Sequence, residues 1–346
     1  MDKLALYGGR PVITEEEPLP LVFPRVIAPK SKEYISEVLE AGFGSDIVEK
    51  FQKKFAKLHN VQHAVAVSNC AAAIHTALAA LDVGAGDEVV TTPISDFGTY
   101  AGILSQNALP VFADLDPDTG NITAESIEKA LSPYTKAIVV VHWHGLICDM
   151  DSIMELSNRK GIPVIEDCCQ TPLGSYKGKM AGSMGTIGCF SMDAEKHLST
   201  EHGGMLTTNS KELADKAYKF AVMRGCYVEE GYGRKYDMLG LNYRYGQLEA
   251  AVGMAQIDIL PEQNRRRVKL ASSLMKKISE IDGIIPLKIP EGSMCLYWIF
   301  PIIFDMEKFN ADIYTLGKAL DAEGIKGCSH IPYYMITDSH LCLKER

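Results

Sequence analysis

Residues 135–170 read TKAIVVVHWHGLICDMDSIMELSNRKGIPVIEDCCQ. Ala137 to Val141 is apolar throughout, Asp151 to Arg159 has helical spacing, and Pro163 to Ile165 is a second apolar run that ends on Glu166-Asp167. An apolar run without alternation is a strand buried on both faces, and a helix between two such runs joins parallel strands. The alternation extends outward from there. His63 to Val67 is strand-like, Ala71 to Leu81 helical, Glu88 to Thr92 a short strand before Pro93, and Val111 to Ala113 another, followed by a turn at Pro117 to Gly120 and a helix from Ser126 to Leu131. The prediction is an α/β fold with a mostly parallel sheet covered on both faces, in which ligands gather at the carboxyl ends of the strands.

After Ser210 helical patterns dominate: Lys211 to Met223, Gly246 to Ile259, Pro261 to Ile281 and Ala311 to Glu323, with Tyr297 to Phe304 strand-like. These predict a long connection leading into a smaller α+β domain. The expected division is an N-terminal arm over 1–30, a large domain over 31–245, and the connecting helix with a small domain over 246–346.

The bulk numbers narrow the function. The chain has 346 residues, 47% hydrophobic and 23% charged, and a formal net charge of -9. That charge argues against a nucleic-acid partner, and the Arg265-Arg266-Arg267 run reads as a solvated helix face. No apolar run approaches the roughly 20 residues of a membrane span, and the N-terminus carries no export pattern. Nine cysteines without a Cys-x-x-Cys pair predict reduced thiols in a cytoplasm.

Five features fall where strand ends should converge. Ser68 to Ala73 is small and polar, suited either to an anion at a helix N-terminus or to a plain tight turn. Asp167 closes a strand and could pair with a ligand cation or be a loop-entry carboxylate. Phe97 follows another strand and could stack on a planar ring or pack in the core. Lys196 lies in Ser191 to His197, ahead of Gly203-Gly204, and by type alone could be a surface charge. Asn242 and Arg244 sit in a loop that enters a helix. A rival grouping, His142, His144, Cys148, Asp149 and Asp151 with Cys168 and Cys169, contains zinc-ligand types. Its spacing matches no finger or protease pattern, and His142-Trp143-His144 is expected on a strand, so no metal is expected.

Taken in order, these pieces resemble the DegT/DnrJ/EryC1/StrS family of pyridoxal-phosphate (PLP) aminotransferases. The resemblance runs from about Gly42 onward. It is carried by SNCAAAIHTAL (68–78), GAGDEVV (84–90), PVFADLD (110–116), TKAIVVVH (135–142), PVIEDCCQ (163–170), GCFSMDAEK (188–196), GGMLTT (203–208) and LNYR (241–244). It implies the type I aminotransferase fold, a homodimer with shared active sites, and transfer of an amine from glutamate or glutamine to a keto sugar or ketocyclitol. It assigns Lys196 to carry PLP on its ε-amine and then to serve as acid and base. Asp167 would keep the pyridine nitrogen protonated, Gln170 would bond the phenolic oxygen, and Phe97 would cover the ring. The N–H groups of Ala71 and Ala72, with Ser191, would hold the phosphate, joined by Asn242 of the neighbouring subunit.

The chain departs from the family pattern at His197, where asparagine is usual, at His202, where glutamate is frequent, and at Asp96, where threonine is common. The sequence also ends soon after His330-Ile331-Pro332, where members usually continue, so a shortened small domain is expected. A sugar dehydratase of the same fold, or a non-catalytic protein of that fold, is the alternative reading.

Overall fold

The computed structural model describes residues 3–19 and 27–328. Helices α1 (Ser31–Glu40) and α2 (Ile47–Leu58) come first. Then follow β1 (His63–Val67), α3 (Cys70–Ala80), β2 (Glu88–Thr91), α4 (Phe97–Ser105), β3 (Leu109–Phe112), α5 (Ala124–Ala130), β4 (Thr135–Val141), α6 (Met150–Lys160) and β5 (Val164–Asp167). A hairpin of β6 (Ser175–Tyr176) and β7 (Lys179–Met180) leads to β8 (Ile187–Ser191), β9 (Gly204–Thr208) and α7 (Lys211–Ala221). A second hairpin pairs β10 (Cys226–Glu229) with β11 (Gly233–Tyr236). Beyond it lie α8 (Gln247–Ile278), β12 (Ile284–Ile285), β13 (Ile303–Phe304) and α9 (Ile313–Ala322).

The central sheet has seven strands in the order β1-β9-β8-β5-β4-β2-β3. Strands β8, β5, β4, β2 and β3 are mutually parallel, and β9 runs against both β1 and β8. This is the expected mostly parallel α/β sheet. Because strand side chains alternate, successive residues serve two cores. Val65, Val67, Val139, Ile165 and Leu206 join the cluster under α3 and α7, while Ala66, Val140, Val164, Phe190 and Met205 join the one that includes Phe51, Phe55 and Ile257. Pro110 sits in β3, at the sheet's edge, where a missing N–H is tolerated.

Three local expectations are corrected, and one helix is added. Residues 97–105 form helix α4; two glycines in FGTYAGILS hide it, and Gly102 is there because a Cβ would lie 2.9 Å from the His75 nitrogen on α3. The two expected helices around Pro261 are one helix, α8, with the proline inside it. His142-Trp143-His144 is not strand: β4 stops at Val141, and Trp143–Gly145 is a 3-10 turn with His144 at φ 56. Of Tyr297 to Phe304 only Ile303–Phe304 pairs, against Ile284–Ile285, and Tyr297 has φ 49. The N-terminal segment is tied to the end of α9, since the Glu323 carboxylate accepts from the Ala5 and Val12 N–H groups. His330-Ile331-Pro332 and the expected shortened end lie outside the described residues.

Candidate active site

The parallel strands bring their carboxyl ends to one edge, and reversed β9 begins at that same edge. In register, Gly204 stands beside both Ser191 and Val67. The loops leaving β1, β2, β5 and β8 therefore open on a common cavity of about 350 Å³. Its walls include Cys70, Ala71, Asp167, Ser191, Lys196 and Trp298.

The first wall is the start of α3. Asn69 caps it, with its side chain accepting from the Ala72 N–H at 2.8 Å. The Ala72 N–H is thus already engaged. The N–H groups of Cys70 and Ala71 stand in the first turn, where a helix leaves donors without intrahelical acceptors and favours an anion. Gly204 allows this placement: a Cβ there would lie 2.3 Å from the Asn69 carbonyl oxygen.

Asp167 ends β5 and is 1% exposed. Its Oδ2 accepts from the Thr99 hydroxyl at 2.9 Å and its Oδ1 from the Cys169 N–H at 3.1 Å. Thr99 in turn contacts the Ser95 hydroxyl at 2.8 Å, so α4 aims the carboxylate. Its neighbour Glu166 points to the other side of the sheet and is fully buried. That carboxylate accepts from the N–H groups of Gly182, Met184 and Gly185 and meets His142 Nε2 at 3.1 Å. The Cys148 N–H donates to His142 Nδ1, so Nε2 carries the proton. His142, Glu166 and Cys168 thus sit together, with the first two consumed by structural hydrogen bonds. Of the rest of that grouping, Cys148 stays beside His142 through its N–H, while Asp149 caps α6 and accepts from the Tyr176 hydroxyl, and Asp151 pairs with Lys177.

Lys196 lies between β8 and β9 and is 9% exposed. Its Nζ sits 3.7 Å from the centre of the Trp298 ring, and among the described residues it makes no ion pair. The thiols nearby are poor nucleophiles. A Cys169 hydrogen bond, burial and the Asp167 charge push Cys70 well up, and burial does the same to Cys189. Lys196 is left as the amine of the cavity.

The remaining candidates are placed differently. Gln170 is buried at 2% exposure with its Oε1 lacking a hydrogen-bond partner, and it does not line the cavity. Phe97 heads α4 at 37% exposure, next to the lining residues Asp96 and Gly98. Asp96 caps α4, accepting from the Gly98 N–H at 2.8 Å. Asn242 and Arg244 are exposed and bond each other at 2.7 Å. Between them Tyr243 is anchored inward, its hydroxyl 2.9 Å from His75 Nδ1 and its carbonyl accepting from the Ser68 N–H. His197 is buried with Nε2 3.1 Å from the Leu296 carbonyl, and His202 is exposed. Sequence reasoning missed Thr99 and Trp298. Thr99 falls in the helix hidden by glycines, and Trp298 is about a hundred residues from Lys196 with no local motif around it.

A profile of the DegT/DnrJ/EryC1/StrS aminotransferase family matches residues 26–340. GDP-perosamine synthase of Escherichia coli O157:H7 is 35% identical over 277 residues, covering 79% of this chain and 75% of that protein. L-glutamine:2-deoxy-scyllo-inosose aminotransferase of Streptomyces paromomycinus is 32% identical over 338 residues, covering 92% and 78%. The crystal structure of the aminotransferase from Psychrobacter cryohalolentis superposes with a TM-score of 0.81 at 30% identity, covering 86% of this chain and 81% of that one.

Proposed function

The chain belongs to the DegT/DnrJ/EryC1/StrS aminotransferase family, and from that premise we propose that its cavity takes PLP on Lys196 and aminates a keto sugar or ketocyclitol. One observation carries this reading: a buried lysine, a buried and aimed carboxylate and a helix N-terminus of which Asn69 takes only the Ala72 N–H share one cavity.

The residues suit the group. A phosphate near two negative charges needs several donors, and the Cys70 and Ala71 N–H groups with the Ser191 hydroxyl provide them. The resemblance gives Gln170 to the phenolic oxygen, which its side-chain N–H would meet only by turning towards the cavity that it does not line in this conformation. Phe97 is the aromatic at the rim left to cover the ring. Bound PLP supplies an electron sink for carbanion chemistry. Asp167, fixed by Thr99 and Cys169, holds the proton at the ring nitrogen. Lys196 would hold the group on its ε-amine and then serve as the acid and base of the amine transfer. Glutamate or glutamine would give the amine in a two-step cycle, and L-glutamine stands as the donor in the name of one relative.

A second copy of the chain completes the site in this reading. Asn242 and Arg244 are exposed, and the hairpin and loop that precede them in the chain carry the exposed Tyr232, Tyr236 and Leu239, polar and apolar groups that suit a two-fold interface. The unpaired cysteines among the described residues support a reducing, cytoplasmic setting.

Absorbance tests the proposal. The protein reconstituted with PLP should be yellow, should bleach on adding glutamine or glutamate, and should recover colour with a keto acceptor. Borohydride should fix the label on Lys196. A protein that stays colourless with PLP, or a label on another lysine, overturns the assignment.

A further inference from the structure

We propose that Trp298 is the platform for the acceptor's six-membered polyhydroxylated ring, and so a specificity-determining residue for the acceptor half of the reaction. This deepens the aminotransferase reading and rests on it.

Trp298 lines the cavity, and its indole face lies against the Lys196 amine, 3.7 Å from Nζ to the ring centre. Lys196 would move the proton at the carbon that receives the amine, so that carbon must come within its reach. The indole is also held there. Its Nε1–H donates to the Glu195 carbonyl at 3.2 Å and its backbone N–H donates to the His144 carbonyl at 3.0 Å. Two residues earlier, the Leu296 N–H donates to Gly145 at 2.8 Å, and the Leu296 carbonyl faces His197 Nε2 at 3.1 Å. His197 thereby couples the lysine's own loop to the segment that carries the indole. It is a positioning residue for Trp298.

The indole's polar N–H is therefore spent on anchoring, and its electron-rich face carries the Lys196 ammonium, a place the acceptor ring would take once Lys196 is engaged with the cofactor. A pyranose or cyclitol ring has the complementary surface: axial C–H groups form an apolar, electropositive patch, with hydroxyls around its edge. Asp96 and Asp193 also line the cavity, and carboxylates accept from such hydroxyls. The amino-acid donor has no ring to lay on the indole. The two substrates that visit this site in turn thus differ in their use of Trp298. The ring could arrive as a free ketocyclitol or as a nucleotide-linked keto sugar; the platform recognises what the two share.

The test uses the PLP-loaded enzyme with Trp298→Phe and Trp298→Leu. Donor turnover is read alone, from single-turnover bleaching with glutamine. Acceptor turnover is read with two probes, 2-deoxy-scyllo-inosose and a GDP-linked keto sugar. Trp298→Leu should raise the acceptor KM roughly ten-fold and Trp298→Phe less, while donor bleaching, which feels Trp298 only through its contact with Lys196, should change by a clearly smaller factor. The probe whose KM moves identifies the source of the ring. A second readout avoids turnover. The chain has two tryptophans, so in a Trp143→Phe background only Trp298 emits, and the reduced, unreactive alcohol of the accepted probe should change that emission. Equal loss in donor and acceptor steps means that Trp298 is only a wall, and this overturns the proposal, as does an unchanged acceptor KM or a silent emission. Should Trp298→Leu fail to fold, the phenylalanine variant and the emission decide. A parent enzyme that never bleaches with a donor defeats the underlying reading instead.

Discussion

Gly204→Ala is the sharpest probe of where an anion sits. The new methyl carbon would lie 2.3 Å from the Asn69 oxygen, 2.5 Å from its carbonyl carbon and 3.0 Å from the Cys70 nitrogen, where ordinary contact begins at 3.4 Å. All three are backbone atoms, so no side chain can swing away. Strand β9 is paired on both sides at this residue, which leaves the Asn69–Cys70 turn to retreat by about 1 Å. A hydrogen bond lengthened that much is lost. Losing one bond to a charged phosphate costs about 1.5–3 kcal/mol, or roughly ten- to hundred-fold in PLP affinity. Overpacking alone should lower stability by about 1–3 kcal/mol. Titration of the cofactor-free protein with PLP, followed by absorbance, reads the first effect, and urea unfolding without PLP reads the second. Gly84→Ala is the control, since a Cβ there meets nothing within 4 Å. If Gly204→Ala loses stability yet binds PLP as tightly as the parent, the phosphate does not sit at the α3 N-terminus.

Three further outcomes are expected. Asp167→Asn keeps the acceptor for the Cys169 N–H and a partner for the Thr99 hydroxyl, so the protein should fold and bind PLP while transamination slows on the order of 10²-fold or more; unchanged turnover would remove Asp167 from the mechanism. Subunits carrying Lys196→Ala mixed with subunits carrying Asn242→Ala should regain part of the activity that each lacks, because a mixed dimer with shared sites holds one intact site; no recovery after proven subunit exchange refutes sharing. Burial lowers the His59 pKa from 6.5 to about 4, so the unfolded chain takes up the proton first and stability falls as the pH drops from 6.5 towards 4. His59 should account for about 2 kcal/mol of the loss between pH 7 and pH 5, and His59→Gln should flatten that slope in urea titrations at the two pH values.

How far the sequence can be read depends on which interactions leave a local trace. Ala137 to Val141 is legible as a central strand because both of its faces are buried, which forces an unbroken apolar run. The strand at Ile187–Ser191 is equally buried, yet its glycine, cysteine and serine break the apolar run, so Gly188 to Ser191 is legible only as a weaker strand-like stretch. Helix α4 is hidden for a related reason: Gly102 lowers its helical propensity to let α3 come close. Within the cavity, Asp167 could be suspected from its place at a strand end. Its partner Thr99, the buried role of Glu166 and the roof at Trp298 are contacts between distant segments, and no spacing rule reports those.

The same geometry explains how a lysine on a loop can be rigid enough for chemistry. Catalytic groups on loops need a fixed frame, and here the frame is the pair of neighbouring strands at the loop's two ends. Ser191 and Gly204 face each other in the β8–β9 register, so the loop leaves and re-enters the sheet at one point. Inside it, the Met192 N–H donates to Gly203, the Thr200 N–H to Met192, and the Lys196 N–H to Asp193. Gly203 has φ +149, and a Cβ on it would press to 2.6 Å from the Tyr245 ring, which itself bonds the Thr200 hydroxyl. The loop closes through a residue that must be glycine. Its neighbour Gly204 is small for the separate reason that the Asn69–Cys70 turn lies against it. The paired glycines therefore join the lysine loop to the α3 N-terminus, and whatever moves one of these two parts of the cavity must move the other.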